Sequence, residues 1–219
     1  MKIATWNIER LKSSKKLAGI IAQLHAIDAD LLILTEADER VILPQYENVL
    51  MSEPLNAPYY NTHEHRTIIY SKYKLIGTDN TYDGETAVCA CLETPNGPLA
   101  VYGTIIGIHG NRRPSFKENL EEQLLDFDFI SHKMPLCIAG DFNISFSDNY
   151  YFVKHGRDSL NACFARNNLV NLTTELPEAI DHIVLSKSFV GNRTVKLTEW
   201  NLDKSLSDHK GVCVELIPQ

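Results

Sequence analysis

Apolar runs of strand length in this sequence repeatedly end in acidic, amide or imidazole side chains. The five clusters of this kind are "TWNIE" at 5–9, "LTEAD" at 34–38, "GDFN" at 140–143, "IDHI" at 180–183 and "SDH" at 207–209. Each one alone is most often an ordinary turn. If the strands lie in adjacent sheets, however, their ends gather at one rim and the polar groups converge. Buried acids are costly unless they are paired or bind metal, so the joint pattern indicates a functional site.

The hydrophobic pattern predicts more strands than helices. Strands are expected at 2–6, 30–38, 67–71, 86–92, 135–140, 180–185, 194–200 and 211–217, with a hairpin over 86–106 around Asn96-Gly97. Helices are expected at 14–27, 115–132 and near 159–168. Ser13 or Ser14 is the expected N-cap of the first helix, and "SFKE" from Ser115 to Glu118 reads as a capping box.

Paired strands that alternate with helices favour one fold class. The pattern predicts an α/β layered sandwich with mostly antiparallel pairing, and it argues against a doubly wound parallel sheet. No repeat, low-complexity segment or linker interrupts the sequence, so residues 1–219 are expected to form a single domain.

Composition limits the partners and the compartment. The formal net charge of −7 argues against a polybasic membrane binder or a non-specific nucleic-acid coat, but it permits a nuclease whose acids hold divalent cations. No apolar run approaches the length that spans a membrane. The five cysteines form no Cys-x-x-Cys motif and are expected to be reduced, and the first strand is expected to begin at residue 2 with no leader before it. We therefore expect a cytoplasmic protein.

The chemistry of the clusters is that of a hard-metal site. Carboxylate and amide oxygens without thiolates suit Mg²⁺ or Mn²⁺, which keep positions open for water and phosphate oxygens. A neighbouring histidine can transfer a proton or stabilise charge on a phosphoryl group. Together these groups predict metal-assisted hydrolysis of a phosphoester.

The ordered set of motifs, from "TWNIE" to "SDH", resembles the endonuclease/exonuclease/phosphatase superfamily over nearly the whole chain. This group includes DNase I-like nucleases, abasic-site endonucleases, neutral sphingomyelinases, inositol polyphosphate 5-phosphatases and deadenylases. The resemblance implies a four-layer α/β sandwich, in which two mostly antiparallel sheets pack face to face between helices.

The resemblance also implies which residues hold the metal. Glu36 is similar to the principal metal ligand of the family, with Asn7 beside it and Asp208 also near the metal. The implied cofactor is Mg²⁺ or Mn²⁺, with one or two ions.

Four further residues match positions that the family uses in catalysis. Asp141 resembles the acid that orients or deprotonates the attacking water, and Asn143 the amide that holds the scissile phosphate. His209 resembles the imidazole that binds the phosphate, and Asp181 the carboxylate that orients this histidine. The division of base duty between Asp141 and His209 stays open at this stage.

Three weaker candidates could contact a substrate phosphate. Arg66 precedes a strand that leads toward the site, whereas Tyr102 and His109 compete for one position of the family pattern. The alternatives are a buried aromatic residue for Tyr102 and a loop histidine for His109.

The leading functional hypothesis is a Mg²⁺- or Mn²⁺-dependent phosphodiesterase or nuclease, whose substrate could be DNA or RNA. A small-molecule or lipid-headgroup phosphatase is the first alternative, and a non-catalytic binding scaffold is a distant one. A zinc hydrolase built on His63, His65 and another histidine is more distant still. "NIER" and "TEAD" differ from the abasic-site endonuclease pattern, which counts against that branch. No protein partner can be inferred.

Overall fold

The structure is a computed structural model that describes residues 1–55 and 59–219. The strands are β1 Lys2–Asn7, β2 Leu31–Asp38, β3 Asn48–Met51, β4 Glu64–Ser71, β5 Lys74–Asp79, β6 Val88–Thr94, β7 Gly97–Ile105, β8 Leu136–Asp141, β9 Leu169–Asn171, β10 Asp181–Ser186, β11 Thr194–Trp200 and β12 Gly211–Ile217. The α-helices are α1 Leu17–Ile27, α2 Ser115–Ser131, α3 Lys154–Arg166 and the short α4 Lys187–Val190.

The strands form two six-stranded sheets. Their orders are β11-β12-β1-β2-β4-β3 and β5-β6-β7-β8-β10-β9. Two neighbouring pairs, β1 with β2 and β7 with β8, are parallel, and a helix connects each pair. The other neighbours run antiparallel. The predicted mostly antiparallel, two-sheet architecture is confirmed.

The alternation of side chains along the central strands produces four layers. In β2, Leu31 and Ile33 face the second sheet, whereas Leu32 and Leu34 pack toward α1. On the opposite side of the molecule, α2 and α3 cover the second sheet through a further apolar cluster that includes Phe127 and Leu160. Because both faces of each sheet are covered, the central strands carry apolar residues on both faces and are not alternately polar.

Three strands were missed because they lie at or near sheet edges and carry weak patterns. Of these, β3 alternates between partly buried and exposed residues, β5 is mostly exposed and contains Gly77 beside a register shift, and β9 has only three residues. The helix predicted near 159–168 begins earlier, at Lys154. Its Gly156 hid the first turn, although the structure requires a small residue there because a Cβ would lie 2.9 Å from Phe116.

The predicted helix caps are wrong. The segment from Ser14 to Lys16 is a 3₁₀ turn, and α1 begins only at Leu17. No serine hydroxyl caps the start of the 3₁₀ turn or the start of α1. At α2, Ser115 is already the first helical residue after Pro114, and no side chain caps the helix. Pro114 takes the capping position, which excludes the arrangement that a capping box requires.

Two predictions made from the sequence concern the state of the cysteines and the presence of membrane-spanning segments. All five cysteines are buried free thiols. Among the described residues, none of the helices has the length and apolar character to cross a membrane.

Candidate active site

The polar clusters of the sequence come together at one rim of the sandwich. Asn7 ends β1 and Asp141 ends β8, while Glu36 lies near the end of β2. Asp181 begins β10, which runs antiparallel to β8 and pairs its first residue with Asp141. His209 lies just before β12. The parallel pairs bring strand ends of the same kind together, and the antiparallel neighbours contribute their beginnings at the same rim.

Asn7 connects the two sheets at the centre of this rim. Its Nδ2 lies 3.2 Å from Oε1 of Glu36 in its own sheet and 3.2 Å from Oδ2 of Asp141 in the other. Its Oδ1 accepts the backbone N–H of Glu9 at 2.9 Å. The amide is fully buried, so one side chain fixes the spacing of two carboxylates that are far apart in the sequence.

Asp181 and His209 form a close pair beside this bridge. Nδ1 of His209 lies 2.6 Å from Oδ2 of Asp181, and both side chains are largely buried. The second oxygen of Asp181 is buried and has no hydrogen-bond partner among the residues that the structure describes. Because Nδ1 faces Asp181, Nε2 is the nitrogen that remains for a substrate.

The charges of this rim shift the pKa values of its buried groups. Burial by itself lowers the pKa of His209, but the nearby carboxylates of Asp181 and Asp141 outweigh it and raise this pKa to about 10. Burial raises the pKa of Asp141 above its ordinary value, with Asp181 acting in the same direction and His209 opposing it. The rim thus holds a cationic imidazole between acids.

Glu36 and Asp208 border the open side of the rim. Glu36 is half-buried and has a backbone φ of +41°, a strained conformation for a residue other than glycine. Asp208 is 66% exposed. A hydrogen bond to Glu9 raises the pKa of Lys12, and the charges of Glu36 and Asp208 add to this effect. Both carboxylates therefore contribute negative potential at the Lys12 ammonium.

The donor chemistry of this space fits a hard divalent cation. Glu36 and Asp208 offer carboxylates on the open side of the rim, whereas the Asn7 amide directs its Nδ2 at Glu36 and its Oδ1 at the backbone N–H of Glu9. Mg²⁺ is commonly bound by one or two carboxylates and keeps several waters. Within 1–55 and 59–219, no three His, Cys, Asp or Glu side chains are arranged to hold a metal ion. His63 instead contacts Glu39 at 2.5 Å.

Asn143 lies at the rim but is held by the backbone. Its Nδ2 donates to the carbonyls of Ile106 and Gly107 at 3.2 and 3.3 Å, and its backbone N–H donates to Asp141 Oδ1 at 2.9 Å. Its φ of +51° is a conformation that asparagine tolerates better than most residues. Asn143 thus links Asp141, through its backbone N–H, to the loop after β7, through its side-chain amide. Its predicted contact with the substrate phosphate stays a prediction.

Ser207 has a role that the sequence analysis did not assign, although it belongs to the "SDH" motif. Its hydroxyl donates to the backbone carbonyl of Asn7 at 2.6 Å and accepts the backbone N–H of His209 at 3.2 Å. The side chain is fully buried. It therefore fixes the segment that carries Asp208 and His209 against the end of β1.

His182 follows Asp181 in the "IDHI" cluster but faces away from the rim. Its Nε2 lies 2.9 Å from the carbonyl of Ile144 and its Nδ1 lies 2.9 Å from the hydroxyl of Thr173. Burial lowers the pKa of His182 to about 4. It is a neutral histidine of the core.

The three weaker candidates have different locations. Arg66 and His109 line a cavity beside Glu36. Tyr102 is fully buried, and its hydroxyl donates to Asp126 on α2 at 2.6 Å. This overturns the suggestion that Tyr102 contacts a phosphate: its position on β7 faces the helix layer, and the buried-aromatic alternative is the correct one.

The fold and this rim define a DNase I-like protein, with two packed sheets and acids, amides and an imidazole gathered at the strand ends. The family model of the Endonuclease/Exonuclease/phosphatase family matches residues 4–209, and the chain belongs to this family of phosphoester-cleaving enzymes. A search of curated protein sequences gives no significant match.

Solved structures share the fold at low sequence identity. The 3'-5' exonuclease NExo from Neisseria meningitidis aligns over 100% of both chains, with a TM-score of 0.71 and 18% identity. The 3' phosphatase NExo from Neisseria bound to product DNA hairpin covers 99% of both chains, with a TM-score of 0.71 and 16% identity. An AP endonuclease from Archaeoglobus fulgidus covers 99% of both chains, with a TM-score of 0.69 and 14% identity. At these identities the likeness shows the fold alone.

Proposed function

We propose that this protein is a Mg²⁺- or Mn²⁺-dependent phosphodiesterase that acts on nucleic acid. The observation that carries the proposal is the bridge by Asn7, whose amide lies 3.2 Å from both Glu36 and Asp141. It brings a candidate metal ligand of one sheet within reach of a candidate base of the other. The DNA-bound NExo structure supports nucleic acid as the substrate class.

The proposed cation would be held by Glu36 with Asn7 and Asp208 nearby. When bound, it would supply positive charge that neutralises the phosphate and the leaving oxygen. The ammonium of Lys12 would lie near this cation, since the charges of Glu36 and Asp208 both raise the pKa of Lys12.

The remaining groups would act on the attacking water and the phosphate. Asp141 would accept the proton of the water. Its carboxylate is held in place for this role, since Oδ2 accepts from Asn7 and Oδ1 accepts from the backbone N–H of Asn143. His209 would donate from Nε2 to a phosphoryl oxygen, since its Nδ1 is engaged by Asp181. Asp181 would orient the ring and stabilise its positive charge. The attack would be in line, with the leaving oxygen opposite the water.

The test compares diester and monoester substrates in the same preparation. Bis(p-nitrophenyl) phosphate and a single-stranded oligonucleotide are expected to be hydrolysed with Mg²⁺, and addition of EDTA is expected to abolish the hydrolysis. The monoester p-nitrophenyl phosphate is expected to be a poorer substrate; a clear preference for it would instead favour the phosphatase alternative.

A pair of variants separates this rim from a contaminating nuclease. Asp141→Asn removes the proposed base, whereas Asp203→Asn changes an exposed aspartate away from the contacts described above. Loss of hydrolysis in the first variant and retention in the second are expected. Equal activity in both would rule out the proposed site.

A further inference from the structure

A cavity beside the proposed metal ligand has no role in the chemistry described above. Its volume is about 190 Å³, and it opens next to Glu36. Leu55, Ile105 and Ile108 supply apolar wall, and Arg10, Tyr60 and Arg66 supply planar polar groups. Pockets for drug-sized ligands have volumes of about 300–1,000 Å³, so this one suits a single compact group.

The planar side chains of the cavity are arranged around one aromatic ring. The guanidinium carbon of Arg10 lies 4.6 Å from the centre of the Tyr60 ring, and that of Arg66 lies 5.9 Å from the same centre. Aromatic rings and guanidinium planes are the surfaces on which proteins stack unpaired nucleobases. Tyr60 is half-buried and its ring belongs to the cavity wall.

The backbone that carries Arg10 is held in an unusual conformation. Glu9, Arg10 and Leu11 have φ values of +53°, +56° and +46°, three successive residues in the left-handed region without a glycine. Side chains disfavour this region, and such strain is concentrated at functional sites. The turn begins one residue after Asn7, so it places Arg10 beside the proposed catalytic rim instead of continuing the strand.

The charges around the cavity select against a second phosphate as its occupant. Arg10 is paired with buried Glu64 at 2.9 Å. Arg66 lies 3.6 Å from Asp83 and 3.8 Å from Glu85. With these acids beside both guanidinium groups, the cavity offers little net positive charge to an anion but retains stacking surfaces and donors for a neutral heterocycle.

We propose that this cavity binds the nucleobase of a nucleotide adjacent to the scissile phosphate. A base in an intact duplex is stacked and paired, so entry requires an unpaired base. The preferred substrate is therefore a single strand or an unpaired terminus. This inference rests on the proposed function, because it identifies the substrate class of the same site.

The experiment removes the base while keeping the bond to be cleaved. Thymidylyl-thymidine is compared with two analogues, each lacking one of the two bases. With the wild-type protein and Mg²⁺, loss of the relevant base is expected to lower kcat/KM by about fivefold or more, the size of one stacking interaction. In Tyr60→Leu this difference is expected to vanish, with cleavage of the base-free analogue unchanged.

Two control variants guard against a folding defect. Tyr60→Phe keeps the ring and is expected to retain the base preference. Tyr59→Leu changes the adjacent tyrosine, which is 78% exposed, and is expected to behave as wild type. The base pocket is excluded if wild-type kcat/KM is unchanged for both base-free analogues, or if Tyr60→Leu slows all three substrates equally.

A binding measurement distinguishes failure of the pocket from failure of the proposed function. Fluorescein-labelled thymidine tetramers with and without bases are titrated in EDTA, where no turnover occurs. Tighter binding of the tetramer with bases, lost in Tyr60→Leu, supports the pocket even if no substrate is cleaved. Equal binding of both tetramers, or a gain that follows an added terminal phosphate and not the bases, overturns it.

Discussion

Nδ1 of His209 lies 2.6 Å from Oδ2 of Asp181, although the two residues are 28 positions apart and lie at the ends of strands from different sheets. Asp181 begins β10 in one sheet, and His209 precedes β12 in the other. The pair therefore exists only when the two sheets are packed. This dependence links the stability of the sandwich to the chemistry of its rim.

Replacement of Asp181 by asparagine tests this pair. Asn keeps the shape of the side chain but removes the charge that holds the imidazole protonated and oriented. We expect kcat to fall by about 100- to 10,000-fold, the usual contribution of a positioned proton donor, with a small change in KM. Initial rates with bis(p-nitrophenyl) phosphate measure this. Wild-type kcat in a folded Asp181→Asn protein would contradict the role.

Replacement of Glu36 by glutamine tests the proposed metal site. Loss of a residue that supports a metal ligand typically weakens metal binding by about 10- to 100-fold. Because Glu36 is proposed as a ligand itself, removal of its charge is expected to weaken Mg²⁺ binding by at least this factor. Calorimetric titration with Mg²⁺ measures the affinity. Glu39→Gln serves as the matched control, since Glu39 is exposed and its carboxylate contacts His63. The same Mg²⁺ affinity in both variants would remove Glu36 from the site.

Removal of the buried hydroxyl of Tyr102 is expected to affect stability and not activity. Tyr102→Phe is expected to leave kcat/KM unchanged and to lower the free energy of unfolding by about 1 kcal/mol, because a buried hydrogen bond to Asp126 is lost. Urea denaturation and rate measurements on the same sample check both parts. A large loss of activity with unchanged stability would return Tyr102 to the substrate site.

His182 is expected to make stability depend on pH. Its pKa is about 4 in the folded protein against 6.5 for the free side chain, so the unfolded chain binds the proton more readily. The stabilising contribution is complete above pH 6.5 and is lost as the pH falls toward 4. Linkage gives a loss on the order of 3 kcal/mol over that window.

Urea denaturation at several pH values measures this dependence. His182→Gln is expected to flatten the curve between pH 6.5 and 4 relative to wild type. The exposed His155→Gln is the control and is expected to follow the wild-type curve. Parallel curves for wild type and His182→Gln would show that His182 does not cause the loss.

Much of the fold could be predicted because its strong elements carry local patterns. The apolar run of β2 and the turn before Gly97 are visible in the sequence, and the family follows from the order of the motifs. The edge strands β3 and β5 were missed because they bury little. The cap of α2 was misread because a serine followed three residues later by a glutamate fits a capping box whether or not the chain adopts it.

The candidate site was predictable in its residue types and less so in its contacts. Asp181 and His209 were expected to meet, whereas the roles of Ser207 and Arg10 were not apparent. Ser207 stood inside a recognised motif, but its contact with Asn7 joins residues 200 positions apart. The left-handed turn at Arg10 has no glycine to mark it.

The sequence by itself determined the strands, the helices and the chemistry available at the strand ends, because hydrophobic period and residue type act locally. Only the tertiary structure decided which side chains meet. The packing of two sheets brings Asn7 between Glu36 and Asp141 and turns Tyr102 toward α2. These contacts depend on sheet order and on which face of a strand a residue occupies, and both are set by burial of the whole core and not by any short segment.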